Sequence, residues 1–414
     1  KIDKVLFSPI LGKVIFFTVL AIVVFISYGQ IGSNLTIKLE DFIVPKLNIV
    51  SNFLINCGFK VGADFFEKVL VEGVFSVLLY LPQLALMLSL IYMLEDSGYL
   101  PRVAVSFNQI LRLLGMEGQS IFSLIMGIGC TTSAVLCTRN IANDGCQKIN
   151  TMRFLPFVGC GAKFPILIMM ASMLAGEKGV MIIFLMYLIS IIFGMIYLVV
   201  TKKSKDYIGG FVVEVPKLKA PNIIKCVKQS IVIAIELFKR IVFSVLIVAS
   251  VVWLLGSLSV NFEFLTQEKS ILDFLAEKIS FVFYPIGITS SKLVKALISG
   301  VVAKENVLSV LGVLGGLELS LVQGMSFLIF IMLYTPCVAA LKCVSCEFGK
   351  KEAIKMFFRS MIIAYIASFV FYTFSLVDLV VGVVMMFVVC LLVVLGVKIY
   401  QKNIPKLKTE RQTL

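Results

Sequence analysis

Three cysteines stand beside residues that loosen or break a helix. Cys130 follows Gly129, Cys160 lies between Gly159 and Gly161, and Cys337 follows Pro336. A thiolate is a soft donor that accepts borderline divalent cations. Cysteine in an apolar run is otherwise a small buried hydrophobe, and that is the reading for Cys57, Cys137, Cys146, Cys226 and Cys390. The coincidence with breaks favours a metal path through Cys130, Cys160 and Cys337. Cys343 and Cys346 form one C-x-x-C, without the further ligands that a structural zinc takes. Glu305 lies between the apolar runs 297–303 and 307–314. A carboxylate at membrane depth is costly to desolvate and marks function by default. The alternative is an ion pair with Lys304 or Lys163, but adjacent residues on a helix point apart, so Lys304 is a poor partner. The expected metal ligands are therefore Cys130, Cys160, Cys337 and Glu305. The expected pathway and break positions are Gly127, Gly129, Thr131, Gly159, Gly161 and Pro336. The chain has no histidine, which excludes imidazole as ligand or general base, and no catalytic residue is expected.

The elements that must hold these residues lie in a membrane. The chain is 59% hydrophobic and 15% charged, with mean hydropathy +1.03, more apolar surface than a soluble domain can hide. Its net charge of +14 fits lysine-rich cytoplasmic loops and calls for no nucleic acid. Ten scattered cysteines do not make a secreted disulfide framework. Charge-free spans fall at 14–37, 73–94, 118–138, 179–201, 241–262, 319–341, 360–377 and 379–397. Two more apolar regions carry charge: 154–176 holds Lys163, and 279–317 holds Lys292, Lys295, Lys304 and Glu305. The setting Cys160-Gly161-Ala162-Lys163-Phe164-Pro165 suggests a helix start near the cavity.

Lysine asymmetry orients the spans. The loop 202–228, the cluster Lys350, Lys351, Lys355 and Arg359, the tail 398–411 and the N-terminus read as cytoplasmic; the acidic stretch 261–277 reads as outer. Glu95 and Asp96 read as the anchor of a cytoplasmic helix end. Parity then requires that 118–138 dip in from the inside and return, with Gly127 and Gly129 supplying backbone freedom. The region 279–317 does the same from outside, broken near Pro285 and Gly287. Each half reads as helix, re-entrant element, helix, in opposite orientations, which is the logic of inverted-repeat transporters. The stretches Pro156–Ala162 and Leu333–Ala339 also rhyme: each sets a cysteine three residues after an aromatic and two before an alanine. The expected fold is an all-α polytopic membrane protein of two inverted repeats with re-entrant broken helices and extra flanking helices. Its divisions are 1–68, first helix and outer loop; 69–201, first repeat; 202–235, basic cytoplasmic linker; 236–345, second repeat; and 346–414, C-terminal hairpin and basic tail.

Ordered motifs over nearly the whole chain resemble the membrane permease part of the FeoB family of bacterial ferrous iron transport proteins, with its paired Gate domains. They are LEDSGYLPRVAV (94–105), LLGMEGQSIFSLIMGIGC (113–130), TRN (138–140), FLPFVGCGAKFPI (154–166), SGVVAKENVLSVLG (299–312) and LYTPCVAAL (333–341). The opening DKVLFSPILGKVIFF resembles the family's joint between a soluble GTPase domain and the first helix, so a soluble part is expected before Lys1. The resemblance implies import of ferrous iron, Fe2+ being the transported substrate, across the bacterial cytoplasmic membrane. It implies driving or gating by a GTPase domain, covalently linked or separate, with GTP and Mg2+ bound only there, since no GxxxxGK[ST] stretch occurs here. Small accessory proteins and a homo-oligomer are further expected partners. Where the family follows glycine-cysteine with Asn or Thr and then Val-Pro-Ala, this chain has Thr131-Thr132-Ser133-Ala134, losing a proline and gaining hydroxyls. The rival readings are a Gate-type carrier of another divalent metal or a nucleoside-like solute, and a membrane redox protein using Cys343 and Cys346.

Overall fold

The structure is a computed structural model that describes residues 6, 8, 11–58, 60–79, 81–141, 145–176, 179–201, 216, 218–258, 270–302, 304, 307 and 319–403. Glu305, most of the basic stretch 202–217, the acidic stretch 259–269 and the basic tail from 404 lie outside the described residues.

The described residues are largely helical. In chain order come α1 (Leu11–Tyr28), α2 (Gln30–Asn56), α3 (Lys60–Phe65), a π-helical stretch (Phe66–Phe75), α4 (Ser76–Leu79), α5 (Leu81–Asp96) and α6 (Tyr99–Leu113). Then follow α7 (Ser120–Gly129), α8 (Thr131–Cys137), α9 (Gly145–Phe154), α10 (Lys163–Ala175), α11 (Gly179–Thr201) and α12 (Ile223–Ser257). The last are α13 (Ile271–Phe283), α14 (Ser291–Val302), α15 (Leu321–Leu333), α16 (Val338–Phe348), α17 (Lys350–Ser375) and α18 (Leu379–Asn403). Among the described residues, Leu11–Asn56, Gly179–Thr201, Leu321–Phe348 and Lys350–Ser375 are long and apolar enough to cross a membrane.

Several expected spans are corrected. The span 14–37 does not give way to a loop: helix resumes after Gly29 and runs to Asn56 with Pro45 inside it. The span 73–94 is divided between the π-helical stretch, α4 and α5. The span 319–341 is not continuous. Pro336 has no N–H to donate and drives the residue before it out of helical geometry; α15 stops at Leu333, and Tyr334 and Cys337 are extended. The break near Pro285 is present as a 3-10 turn closed by left-handed Gly287.

The element at 118–138 folds back on itself. A Cβ built on Gly127 would stand 3.6 Å from that of Ala134, whereas seven residues of straight α-helix span roughly 10.5 Å. The turn is Cys130, in extended geometry at φ −149°. Gly127 and Gly129 are not its hinges, because both lie within α7 and neither has positive φ. They make room instead: added Cβ atoms would meet Val158 at 3.2 Å and the Met87 sulfur at 3.2 Å. The second half does the same. Gly300 and Val307 are again seven residues apart and in contact, so the chain turns between them. Lys304 sits in that turn, not in the helix expected to carry it. Lys295 of α14 pairs with Asp273 of α13.

Two cores divide the molecule. One is built from α13, α14, α15 and α17 with α10 and α11, the other from α1, α5, α6, α7 and α8 with α9 and α16. Each broken helix therefore begins in one core and ends in the other. The chain passes from Phe154 to Ile166 across the first break and from Leu333 to Val344 across the second. Both breaks lie at the boundary. At one end of the bundle Arg139 grips Glu347 with two donors, Nε at 2.7 Å. Asp96 accepts from Lys219 Nζ at 2.7 Å and from Asn222 N–H at 3.0 Å, anchoring the approach to α12. The Lys219 hydrogen bond, then the Asn222 N–H, hold the Asp96 carboxyl below the usual carboxylate range. That anchor is present above the ordinary carboxylate pKa and is lost only as acid protonates Asp96.

The fold-back at Cys130 has a direct test. Gly127→Cys with Ala134→Cys, in a background where Cys130 and Cys137 are serine, should form a disulfide on mild oxidation, because the Cβ separation suits one. Mass spectrometry of the linked peptides reads the result, and a continuous helix would leave both thiols free.

Candidate functional site

The breaks enclose one cavity of about 130 Å³, whose walls include Cys130, Cys160 and Cys337. These are the cysteines singled out by their Gly and Pro neighbours, and Gly129, Thr131, Gly161 and Pro336 line it with them. Cys130 precedes the first residue of α8, Cys337 the first of α16, and Cys160 stands three residues before α10. Thus α10 and α16 both begin at the wall and turn the positive ends of their dipoles to it.

Close approach gives the cavity its shape. A Cβ on Gly161 would overlap the Tyr28 hydroxyl, and one on Gly159 would overlap the Tyr187 ring. Glycine is required at both positions for space. Gly161 N–H donates to Gly129 O at 3.1 Å and ties the first break to the turn at Cys130. Other carbonyls freed near the breaks are met from neighbouring helices. Ser190 Oγ donates to Phe157 O at 2.6 Å, and Ser326 Oγ to Ile286 O at 2.6 Å.

Two lysines enter the same cavity, each only 2% exposed. Lys163, the first residue of α10 as its sequence setting suggests, donates from Nζ to Met332 O at 2.6 Å. Lys304 donates to Thr335 O at 2.8 Å and lies 3.5 Å from the centre of the Tyr334 ring. Thr132 also lines the cavity, and its hydroxyl is buried without a hydrogen-bond partner. Sequence reasoning left Thr132 and Tyr28 out. Thr132 could have been found from the hydroxyls of the 131–133 stretch, but no local signal points to Tyr28.

The arrangement can surround a small ion with sulfur, hydroxyl and main-chain oxygen. It does not gather a finished ligand set: among the described residues no three His, Cys, Asp or Glu side chains stand close enough to hold one metal. The three cysteines share a cavity wall, not one point. Cys343 lies outside the cavity lining, with Sγ 3.8 Å from Thr132 O, and Cys346 of the same C-x-x-C is exposed.

Comparison with known proteins adds two findings. Residues 77–174 match the family model described as Gate, nucleoside recognition. Over 400 residues the chain is 27% identical to the Fe(2+) transporter FeoB of Staphylococcus aureus strain MSSA476, covering 90% of this chain and 58% of that protein. It is 26% identical over 405 residues to the Fe(2+) transporter FeoB of Campylobacter jejuni, covering 89% and 64%. It is 24% identical over 393 residues to an Fe(2+) transport protein A/Fe(2+) transporter FeoB fusion protein of Porphyromonas gingivalis, covering 78% and 45%. No solved structure matches the chain. Largely helical in its described residues, the chain is similar to FeoB proteins over nine-tenths of its own length, spans about three-fifths of the Staphylococcus proteins' length, and matches a Gate domain over residues 77–174.

Proposed function

We propose that this chain is the permease of a ferrous-iron import system in a bacterial cytoplasmic membrane, and that Fe2+ passes through the cavity between the breaks. The observation that carries the reading is the meeting of Cys130, Cys160 and Cys337 on one cavity wall. The three residues are far apart in sequence and reach one wall because the two broken helices cross there between the cores and the turn at Cys130 is tied to the first of them through Gly161 N–H and Gly129 O. A dehydrating cation needs negative counter-charge, which thiols supply as thiolates, and oxygen donors, which Thr131, Thr132 and the freed carbonyls offer. The dip of 118–138 and of 279–317 into the membrane from opposite sides belongs to the same reading.

Energy comes from a GTPase domain, linked to the chain or separate, that binds GTP and Mg2+. The fusion named in Porphyromonas gingivalis supports a small accessory protein as a further partner. Glu305 supplies a carboxylate to the path on sequence grounds alone. A second reading, a nucleoside-like solute, rests on the description of the matching Gate family. The volume favours the ion: about 130 Å³ is below the roughly 300–1,000 Å³ of small-molecule pockets and suits an ion with a few waters.

Serine at Cys130, Cys160 or Cys337 keeps size and removes the soft donor. Uptake of radioactive ferrous iron should fall on the order of tenfold at each position while protein abundance holds. Normal uptake by all three variants would make these cysteines packing residues. Glu305→Gln should impair uptake and Glu305→Asp keep part of it. If Glu305 served packing alone, the Gln variant would instead gain thermal stability at full uptake, and full uptake removes it from the path.

A further inference from the structure

Lys163 is an odd residue to bury. It is 2% exposed, and among the described residues it has no carboxylate partner. Its ammonium is satisfied by Met332 O at 2.6 Å. That carbonyl lies in the last turn of α15, where intrahelical donors have run out and the helix dipole is negative. Three residues on, Thr335 O accepts Lys304. Two oxygens released by the second break are thus each held by a lysine that lines the cavity, beside Pro336 and Cys337 of its wall. Cys160 and Cys337 line the same cavity as Lys163.

Free carbonyls at a helix C-terminus and unwound backbone are the groups with which broken helices hold small cations inside membranes. With a thiolate beside them they form a mixed oxygen–sulfur donor set suited to a borderline divalent ion. Met332 O, Thr335 O and Cys337 Sγ belong to one stretch of six residues, 332–337, whose Pro336 prevents the helix from closing over them. Two of the three donors of this seat are main-chain oxygens.

We propose that the break between α15 and α16 is a divalent-cation seat, with Met332 O, Thr335 O and Cys337 Sγ as donors, and that Lys163 occupies it in the ion-free state as a tethered cation. The incoming ion displaces the Lys163 ammonium from Met332 O and takes the second lone pair of Thr335 O, whose first stays with Lys304; the Lys163 ammonium returns when the ion leaves. Lys163 is a positioning residue: it keeps the seat intact without an ion and makes release easier. The inference rests on the reading of the chain as an ion permease.

The test is cobalt binding by the purified chain in detergent, followed by the absorption of the cobalt–thiolate bond. Lys163→Met removes the occupant, and Lys163→Gln keeps a donor for Met332 O without the charge, guarding against a folding defect. Both should bind Co2+ at least about tenfold more tightly than the parent, because a seat filled nine-tenths of the time loses that factor in apparent affinity. Lys163→Arg, which keeps the charge, should not gain. Adding Cys337→Ser to Lys163→Gln should abolish the gain and the part of the absorption due to that sulfur. Equal affinity of parent, Met and Gln variants, with unchanged melting temperatures, overturns the tethered-cation role while leaving the permease reading standing. Absence of a cobalt–thiolate signal from every variant overturns that reading along with the inference.

Discussion

A carbonyl released from its helix inside a membrane has no water to turn to, and leaving it unpaired costs several kcal/mol. That constraint organises this molecule. The backbone departs from the helix at Cys130, over 155–162, at Tyr284–Gly287 and at 334–337. At each departure, freed groups are met by a partner from another element: Gly161 N–H for Gly129 O, Ser190 for Phe157 O, Ser326 for Ile286 O, Lys163 for Met332 O and Lys304 for Thr335 O. Many of these contacts bridge the two halves or two distant segments of one. The breaks can exist only because the halves are packed together, and the halves are cross-linked by what the breaks leave open.

The cavity follows from the same geometry. A continuous helix would bury its main chain and present only side chains, whereas broken helices present sulfur, hydroxyl and carbonyl oxygen at one depth. Tyr28, pressed against Gly161, keeps the space narrow. Narrowness favours an ion over a larger solute, and the lysines keep the carbonyls satisfied when no ion is present. Transport needs binding that is strong enough to strip water and weak enough to reverse, and the proposed tethered competitor would provide the second property.

The sequence made the cysteines legible because chemistry and backbone punctuation coincide there. Cys130, Cys160 and Cys337 each adjoin Gly or Pro, and those neighbours fixed their placement at breaks. The fold-back at Cys130 lies in the element from which charge parity demands a return, whereas the turn at Lys304 was not expected, since the break of that region was set at Pro285 and Gly287 and a helix was expected to carry Lys304. What stayed hidden was long-range. Gly127 and Gly129 signalled flexibility in the sequence but serve close packing against Val158 and Met87, a distinction that depends on partners up to 42 residues away. Hydropathy alone reads 319–341 as one charge-free span, and within it only Pro336 marks the break at 334–337. The carbonyls of Met332 and Thr335 have no sequence signature at all, since every residue has one.

The central claim is that sulfur and main-chain oxygen meet the ion together at these breaks. X-ray absorption at the iron edge of the chain loaded anaerobically with ferrous iron reads the ligands themselves. The account predicts sulfur scattering at roughly 2.3 Å, the range of thiolate–metal bonds, with a shorter shell of oxygen and with the sulfur contribution reduced in Cys337→Ser. A spectrum of oxygen alone, unchanged by that substitution, would contradict it.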